Sequence, residues 1–539
     1  MSAVDAQTER AIFARLIQAR AEEEPDRRCL VFEQGEHPAE DITYRDLATR
    51  GNQIAVELQR LGLHRGDRVG IMLRNHPEFV YGMVGASQLG LVTVPVDPRA
   101  RGERLRYFLS FADCGALLVA DYVLGDPDAA GVIRDVDPRT LALSTPEGRA
   151  AGIDVTGRFT LNEILEGPER SHTGHHADSL SDPWLLTYTS GTTGNPKALG
   201  FGYDRMLFYR RTPEYFQYRP DDVPYTGLSL IHGNALVVTL MPAIWGVVDH
   251  SVFSRWFTKT RLWDVCIAHG CTTWSNLGGI ATAIYGEPPD PHDRQHRVRL
   301  VHSAGMPLEL WEPFEERFGV RILEWYGMME GGFAYNPPGV GPPGSFGKPP
   351  EGLVVMDVFD EEDRPAPPGQ LGELVVHPAG QPARVEYHKN PDASAAKVRG
   401  GWLRTGDLCW KDEDGWLYFG RRAEEGGIRK LGEFVPEGFV RRVLAEDPEI
   451  LDVHIYGVPA RTGAPGESDL VAAVVARDAG ALDVAALIER CGARLERAHV
   501  PDYVQVLDSL PKTATEKVQL SELLRAFDPD APNVFSGTD

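Results

Sequence analysis

The sequence predicts an α/β protein with a large N-terminal domain of mixed α/β sheets and a small C-terminal α+β domain. A chain of 539 residues exceeds one ordinary domain. In the first part of the chain, apolar strands alternate with amphipathic helices, which is the order of a parallel sheet with right-handed crossovers. Near residue 421 this pattern gives way to a smaller unit. We therefore assign residues 1–420 to the first domain, 421–427 to the connection and 428–539 to the second domain.

The elements of the N-terminal domain follow from apolar spacing and from capping residues. Apolar side chains recur at helical spacing in residues 9–21. Thr43 and Asp46 have the identity and spacing of a capping box at the start of the next helix. Further elements are helix 77–90 and strands 66–73, 91–96, 116–120, 184–190, 297–305 and 320–327.

Loops and antiparallel strands are predicted for the rest of the chain. Pro and Gly dominate residues 337–350, which we assign to a loop. Residues 353–377 and 401–421 alternate apolar and polar side chains as antiparallel strands do, with Asp414 and Gly415 as a hairpin turn. The C-terminal elements are helices 436–446 and 483–497 and strands 452–458, 470–476 and 503–507.

Composition is that of a soluble globular protein and excludes several function classes. Hydrophobic residues make up 42% of the chain and charged residues 25%. A formal net charge of −23 and the lack of a Lys/Arg block argue against nucleic-acid binding. The six cysteines include no CxxC pair, which favours free thiols in a reducing compartment. No signal segment and no run of about 18 apolar residues occurs, so we expect a cytoplasmic protein without membrane contact.

The strongest local signal is a glycine- and hydroxyl-rich loop after a buried strand, Thr187-Tyr-Thr-Ser-Gly-Thr-Thr-Gly-Asn-Pro-Lys197. Glycine permits positive φ and brings backbone N–H groups close to a ligand. Such N–H groups, with hydroxyls and one ammonium, suit a polyphosphate. The loop is not a Walker A loop, because Lys197 follows Pro196 and precedes Ala198. The sequence therefore predicts a nucleotide phosphate site here.

Together with this loop, four more motifs in order make the chain similar to the adenylate-forming superfamily of acyl-CoA synthetases, peptide-synthetase adenylation domains and luciferases. GDRVGIMLRNHPEF and LGLVTVPVDP resemble its N-terminal signature, and Tyr326-Gly-Met-Met-Glu330 resembles its aromatic-Gly-x-Thr-Glu motif. Gly401-Trp-Leu-Arg-Thr-Gly-Asp407 resembles its ribose-binding motif. Leu510-Pro-Lys-Thr-Ala-Thr-Glu-Lys517 resembles its catalytic-lysine motif, in wording close to carnitine/crotonobetaine-type CoA ligases. The resemblance covers about residues 40–520 and implies the fold of these enzymes, with a mobile C-terminal domain.

The resemblance implies that an acid is activated by ATP as an acyl-AMP, with release of pyrophosphate, and is then transferred to coenzyme A. The implied cofactors are ATP, Mg²⁺ and coenzyme A. Lys517 would bridge the carboxylate and the α-phosphate, Glu330 would bind Mg²⁺, and Thr189 and Lys197 complete the catalytic set. The implied ATP- and AMP-binding residues are Thr189, Ser190, Gly191, Thr192, Thr193, Gly194, Lys197, Ala304, Gly305, Tyr326, Gly327, Met328, Met329, Glu330, Asp407 and Arg421.

The acid and the thiol are assigned by position within the same resemblance. In this family the C-terminal domain rotates about a hinge, here at 421–427, and brings a second face to the thiol. The partners are therefore a small carboxylic acid and coenzyme A or a carrier protein, and we expect a monomer or a homodimer. The acid-pocket residues are His232, Gly233, Asn234, Ser303, Met328, Gly331 and Gly332, and the thiol face is formed by Lys430, Gly432 and Glu433.

The sequence departs from the family pattern at three places, and the first two keep other functions open. Met329 replaces the usual Thr, the segment after Arg421 is about two residues longer, and Glu516 replaces the usual Gly before Lys517. One alternative is an adenylating enzyme that delivers its product to a carrier protein or an amine, or that activates nitrite to diazotise an arylamine. Another is a nucleotide-binding protein without catalysis, against which the presence of both Glu330 and Lys517 argues.

Overall fold

The structure is a computed structural model that describes most of the chain. Within its described residues, no helix has the length and apolar character needed to cross a bilayer. All six cysteines lie among these residues and are free and buried, as predicted. The described residues are 10–153, 155, 160–169, 177, 179–188, 196–422, 428–430, 433–435, 437–461, 468–478, 480, 482–492, 494–495, 499–513, 516 and 518–537.

Helices begin largely where caps and apolar spacing predict them. The predicted capping box is confirmed, because Thr43 and Asp46 each accept the other's backbone N–H with their side chains. A π-helical stretch at Ala235–Leu240 and 3₁₀ turns at Lys259–Arg261 and Pro291–Arg294 interrupt the α-helical order. The helices are α1 Phe13–Glu23, α2 Tyr44–Arg60, α3 Pro77–Gln88, α4 Gly102–Phe111, α5 Asp121–Leu124, α6 Pro127–Val136, α7 Pro146–Ala150, α8 Leu161–Glu166, α9 Asp204–Tyr215, α10 Met241–Ile244, α11 Leu262–His269, α12 Gly278–Tyr285, α13 Leu308–Phe318, α14 Pro391–Lys397, α15 Glu437–Ala445, α16 Val484–Gly492 and α17 Leu520–Ala526.

Two largely parallel sheets form the main body of the N-terminal part. The first has the order β6-β5-β3-β4-β7-β8, with β7 and β8 antiparallel. The second has the order β14-β13-β12-β11-β9-β10-β1-β2, parallel in its centre and antiparallel at both edges. Their strands are β1 Arg28–Gln34, β2 His37–Thr43, β3 Arg68–Met72, β4 Val92–Pro95, β5 Cys114–Ala120, β6 Arg139–Leu143, β7 Pro183–Tyr188, β8 Ala198–Gly202, β9 Pro224–Thr226, β10 Ser251–Ser254, β11 Thr273–Leu277, β12 Leu300–Ala304, β13 Arg321–Gly327 and β14 Phe333–Asn336.

A third, antiparallel sheet has the order β15-β20-β19-β17-β16, with β18 beside β19. It includes a strand that the sequence assigned to loop, because Ser345–Gly347 pairs with β20. Ser345 is buried and its hydroxyl donates to the Leu417 carbonyl at 2.8 Å, so tertiary pairing overrides the local Pro/Gly composition. The strands are β15 Ser345–Gly347, β16 Val354–Phe359, β17 Gly372–Pro378, β18 Val398–Arg399, β19 Trp402–Lys411 and β20 Leu417–Arg422.

The C-terminal part has an apolar core of its own between α15, α16 and a sheet of order β23-β24-β25-β26. The predicted helix 483–497 ends earlier than expected, at Gly492. Lys259 of the N-terminal part donates to the Leu451 carbonyl at 3.0 Å, one of the contacts between the two parts. The strands are β21 Arg429–Lys430, β22 Glu433–Phe434, β23 Ile450–Pro459, β24 Ser468–Ala476, β25 Tyr503–Val506 and β26 Val534–Ser536.

Candidate active site

A cavity of about 440 Å³ opens where β7 and β13 end and where β19 bends. Ligands of open α/β sheets commonly bind beyond the carboxyl ends of the strands. The described lining residues include more cations than carboxylates, which offsets locally the negative charge of the whole chain. The cations are Arg104, Lys197, Arg205 and Lys397, and the carboxylates are Asp97, Glu330 and Asp407. The predicted residues that line the cavity are Lys197, His232, Gly233, Asn234, Gly327, Met328, Met329, Glu330, Gly332 and Asp407.

Other predicted residues lie beside the cavity, away from it or outside the described residues. Ser303 is completely buried in β12 and does not line the cavity. Lys430 contacts Val500 and Asp502 of the C-terminal part. Ala304, Gly305, Tyr326 and Gly331 do not line the cavity themselves. Outside the description are residues Thr189, Ser190, Gly191, Thr192, Thr193, Gly194, Gly432 and Lys517 and the side chains of Arg421 and Glu433.

A bulge in β19 aims Asp407 at the cavity. Opposite Leu374 the strand carries extra residues, and Gly406 takes a φ of +80°, a left-handed conformation that favours glycine. The Asp407 carboxylate accepts a hydrogen bond from the Tyr326 hydroxyl at 2.6 Å. Asp407 and Tyr326, both of which the resemblance assigns to AMP binding, are therefore joined directly.

Glu330 is fixed by a residue that sequence reasoning did not indicate. The Tyr387 hydroxyl donates to Glu330 Oε1 at 2.7 Å, and Lys197 Nζ lies 5.3 Å from the centre of the Tyr387 ring. Tyr387 belongs to no motif, and a bridge to Leu199 of β8 brings it to the site. No cluster of three or more His, Cys, Asp or Glu side chains that could hold a metal occurs among the described residues. One carboxylate that shares Mg²⁺ with phosphate oxygens is the usual arrangement for this ion, and Glu330 fits it.

His232 lies at the start of the π-helical stretch and is reached from the cavity. The backbone N–H of Asn234 donates to His232 Nδ1 at 3.2 Å, which assigns the ring proton to Nε2. Burial lowers the pKa of His232 to about 4, so the ring is neutral near pH 7. His232 can therefore donate a hydrogen bond into the cavity without adding charge.

Glycines give the acid pocket its shape. A Cβ atom at Gly233 would lie 3.0 Å from Met329 Sδ, so this glycine accepts the close approach of the methionine that replaces the family's threonine. Gly332 takes a φ of +90°, and a Cβ atom there would lie 3.2 Å from a Val376 methyl group. Both positions therefore restrict side-chain bulk at the floor of the site.

Glu324 holds the turn that follows β12. Its carboxyl group accepts hydrogen bonds from the backbone N–H groups of Gly305 and Met306. Burial raises the pKa of Glu324 to about 8, although these hydrogen bonds act in the opposite direction. The Glu324 carboxyl group therefore changes its protonation state near pH 8.

The variant Glu324→Gln should remove part of the pH dependence of stability. The folded-state pKa lies above the ordinary value of 4.5, so the folded state binds the extra proton between pH 4.5 and about 8, and stability falls as the pH rises through that interval. Glutamine keeps an acceptor for both N–H groups but does not titrate. Over this pH interval we therefore expect the free energy of unfolding of the variant to fall by on the order of 1–3 kcal/mol less than that of wild type. Thermal unfolding midpoints at pH 5 to 8 test this, with the exposed Glu351→Gln as the matched control. Parallel pH curves for wild type and Glu324→Gln would contradict the assignment.

Described residues on either side of Lys517 contact the cavity or the N-terminal part. Thr513 lines the cavity itself. Glu516 lies 3.7 Å from Arg99, and Arg104 donates to the Gln519 side chain at 3.0 Å. Residues on both sides of Lys517 are thus anchored to the N-terminal part, whereas Lys430 is not among the cavity-lining residues.

Comparisons with known proteins identify the family of the chain. A family model described as AMP-binding enzyme matches residues 17–381, and one described as AMP-binding enzyme C-terminal domain matches residues 442–517. The sulfoacetate–CoA ligase of Cupriavidus necator is 33% identical over 97% of this chain and 99% of its own length. The crotonobetaine/carnitine–CoA ligase of Salmonella paratyphi B is 26% identical over 92% and 95%. The crystal structure of an anthranilate CoA ligase in complex with anthranoyl-AMP has the same fold, with a TM-score of 0.77, 22% identity and coverage of 95% of this chain and 96% of that one. The chain therefore belongs to the AMP-binding enzyme family of the adenylate-forming superfamily.

Proposed function

We propose that this chain is an ATP-dependent acid–CoA ligase that forms an acyl-AMP and releases pyrophosphate. The observation that carries the proposal is that residues of the predicted nucleotide site and of the predicted acid pocket line one cavity. The first are Lys197, Glu330 and Asp407, and the second are His232 and Gly233. The groups expected to bind the nucleotide and those expected to bind the acid thus share one space. The relatives named above join acids to coenzyme A, which supports the same acceptor here.

The first half-reaction poses an electrostatic problem, because a carboxylate must attack an anionic α-phosphate. A carboxylate oxygen forms a bond to phosphorus while the bond from phosphorus to the pyrophosphate oxygen breaks. Lys197 and Lys517 offset the charge that develops on these oxygens. Glu330, held by Tyr387, is positioned to bind Mg²⁺, which when bound neutralises phosphate charge.

The second half-reaction transfers the acyl group to a thiol. The thiolate sulfur of coenzyme A forms a bond to the acyl carbon while the bond from that carbon to the AMP oxygen breaks. Rotation about residues 421–427 would withdraw the Lys517 segment and bring Lys430, Gly432 and Glu433 to the cavity, in the manner of hinge-gated sites. We further propose a cytoplasmic location and a monomer or homodimer.

Pyrophosphate release tests the proposed function. The enzyme is mixed with ATP, Mg²⁺ and aliphatic, aryl, sulfonated or betaine-like acids, or nitrite, with and without coenzyme A. Without coenzyme A we expect about one equivalent of pyrophosphate per site, because the adenylate stays bound, and with coenzyme A continuous release and a thioester detectable by mass spectrometry. Continuous pyrophosphate release at the same rate with and without coenzyme A would point to another acceptor. No pyrophosphate release with any of the acids would contradict the proposal.

A further inference from the structure

Arg205 is a cation in the cavity wall that no sequence motif indicates. It lies in the first turn of α9, soon after β8. Its Nη2 donates to the Met329 carbonyl at 3.3 Å, and its guanidinium carbon lies 5.0 Å from the centre of the Phe201 ring. Since Met329 packs against Gly233, these contacts place the guanidinium at the predicted acid pocket.

Within the part of the chain that the structure describes, Arg205 forms no ion pair. A guanidinium group has five N–H donors, and the one described hydrogen bond goes to a neutral carbonyl. Two of the three cavity carboxylates accept hydrogen bonds from tyrosine hydroxyls, Glu330 from Tyr387 and Asp407 from Tyr326. Arg205 therefore brings positive charge and hydrogen-bond donors to the pocket, and none of the described carboxylates forms an ion pair with it.

Many of the side chains that line the same cavity as Arg205 are apolar, and the Phe201 ring lies beside its guanidinium group. An acid with a purely apolar tail would displace water from Arg205 and leave its charge uncompensated, which is costly. A tail that ends in a carboxylate or a sulfonate supplies the opposite charge and the oxygens that match the guanidinium fork. The apolar and aromatic residues of the cavity lining include Phe201, Phe208, Phe216, Ile231, Val237, Trp325 and Phe333.

His232 is a second hydrogen-bond donor in the cavity for an anionic group of the substrate tail. Its Nδ1 accepts from Asn234, so Nε2 carries the proton, and the ring lines the same cavity as Arg205. A neutral donor beside one cation suits an anion of a single charge. Because it carries no charge, His232 also does not repel the guanidinium group.

We propose that Arg205, assisted by His232, binds a second anionic group on the acid, so that the substrates are carboxylic acids whose tail carries a carboxylate or a sulfonate. The proposal rests on the adenylation function proposed above and narrows its substrate class. The reacting carboxylate is a separate group of the same substrate. A neutral tail leaves Arg205 unpaired, and a quaternary ammonium tail is repelled by it.

The test measures binding without catalysis. Stable acyl-sulfamoyl-adenosine analogues with sulfoacetyl, succinyl and isovaleryl tails are titrated calorimetrically into wild type, Arg205→Met and Arg205→Lys. We expect wild type to bind the two anionic tails roughly 10- to 100-fold more tightly than the isovaleryl tail. Arg205→Met should abolish this difference without weakening the isovaleryl analogue, and Arg205→Lys should retain part of it. Arg210→Met, which removes an exposed cation from the same helix, is the matched control.

The possible outcomes separate this proposal from the ligase function. An equal loss for all three analogues in Arg205→Met would place Arg205 on the nucleotide or on the reacting carboxylate, and no loss would exclude it from the site; either result overturns the proposal. The analogues could bind with the expected preference for anionic tails while the corresponding free acids cause no pyrophosphate release. That result would overturn the ligase function but would still support an anion-binding site at Arg205. The comparison of sulfoacetyl with succinyl tails shows which of the two anions fits better.

Discussion

Replacing Lys517 by alanine is expected to slow formation of the acyl-AMP by about 10²- to 10³-fold while leaving transfer from preformed acyl-AMP to coenzyme A near the wild-type rate. The ammonium group is needed only where a carboxylate approaches a phosphate, because there two anions must meet. Transfer to the thiol involves no such approach. The two half-reactions should therefore respond differently to the same substitution.

The flanking contacts support this role for Lys517. Thr513 lines the cavity, and Glu516 lies within 3.7 Å of Arg99 in the N-terminal part. Rapid-quench measurement of pyrophosphate gives the first rate, and mixing synthetic acyl-AMP with coenzyme A gives the second. Lys512→Ala is the matched control, because Lys512 belongs to the same segment but pairs with Asp452. An equal loss of both half-reactions in Lys517→Ala would show that the lysine does not act on adenylation alone.

Much of the fold could be predicted because its signals are local. The Thr43–Asp46 capping box and the Asp414-Gly415 hairpin depend on residues only a few positions apart, and both occur as predicted. Strand β15 could not be predicted, because its reason to be extended is the pairing of Ser345 with β20, about seventy residues away. Local propensity is therefore sufficient for caps and turns but not for strands that depend on a distant partner.

The candidate site shows the same division. Asp407, Glu330 and Lys197 belong to motifs, and all three line the cavity. Tyr387 and Arg205 belong to no motif, and the fold brings them in through a strand bridge and the first turn of α9. A residue that supports a motif residue from another segment has no spacing signature of its own.

Two features of the site, the burial of Ser303 and the backbone conformation of Glu516, become visible only in the structure. Ser303 is expected to line the acid pocket, but in β12 it is completely buried, because a central strand of a parallel sheet is covered on both faces and the elements that cover it cannot be read from the strand itself. Glu516 replaces a family glycine and takes a φ of +59°, a conformation that costs a non-glycine residue energy. Its contact with Arg99 offers a compensating attraction in the described arrangement of the two parts.

Replacing Glu330 by glutamine is expected to lower kcat/KM for adenylation by about 10²-fold or more and to shift its dependence on Mg²⁺ to higher concentration. Glutamine can still accept the hydrogen bond that the Tyr387 hydroxyl now donates at 2.7 Å, so the side chain keeps its place while its charge is lost. The measurement is pyrophosphate release as a function of Mg²⁺ at fixed ATP. An unchanged Mg²⁺ dependence in Glu330→Gln would contradict its role as the metal-binding carboxylate.

Two further variants separate charge from position at this site. Tyr387→Phe keeps the ring beside Lys197 but removes the hydrogen bond to Glu330, so we expect a smaller loss, about tenfold in apparent Mg²⁺ affinity, of the size that indirect partners of a metal ligand usually produce. Glu351→Gln, which changes an exposed carboxylate that does not line the cavity, should leave both parameters unchanged. If Tyr387→Phe costs as much as Glu330→Gln, then placement of the carboxylate rather than its charge is what limits adenylation, and Tyr387 must be counted with the motif residues.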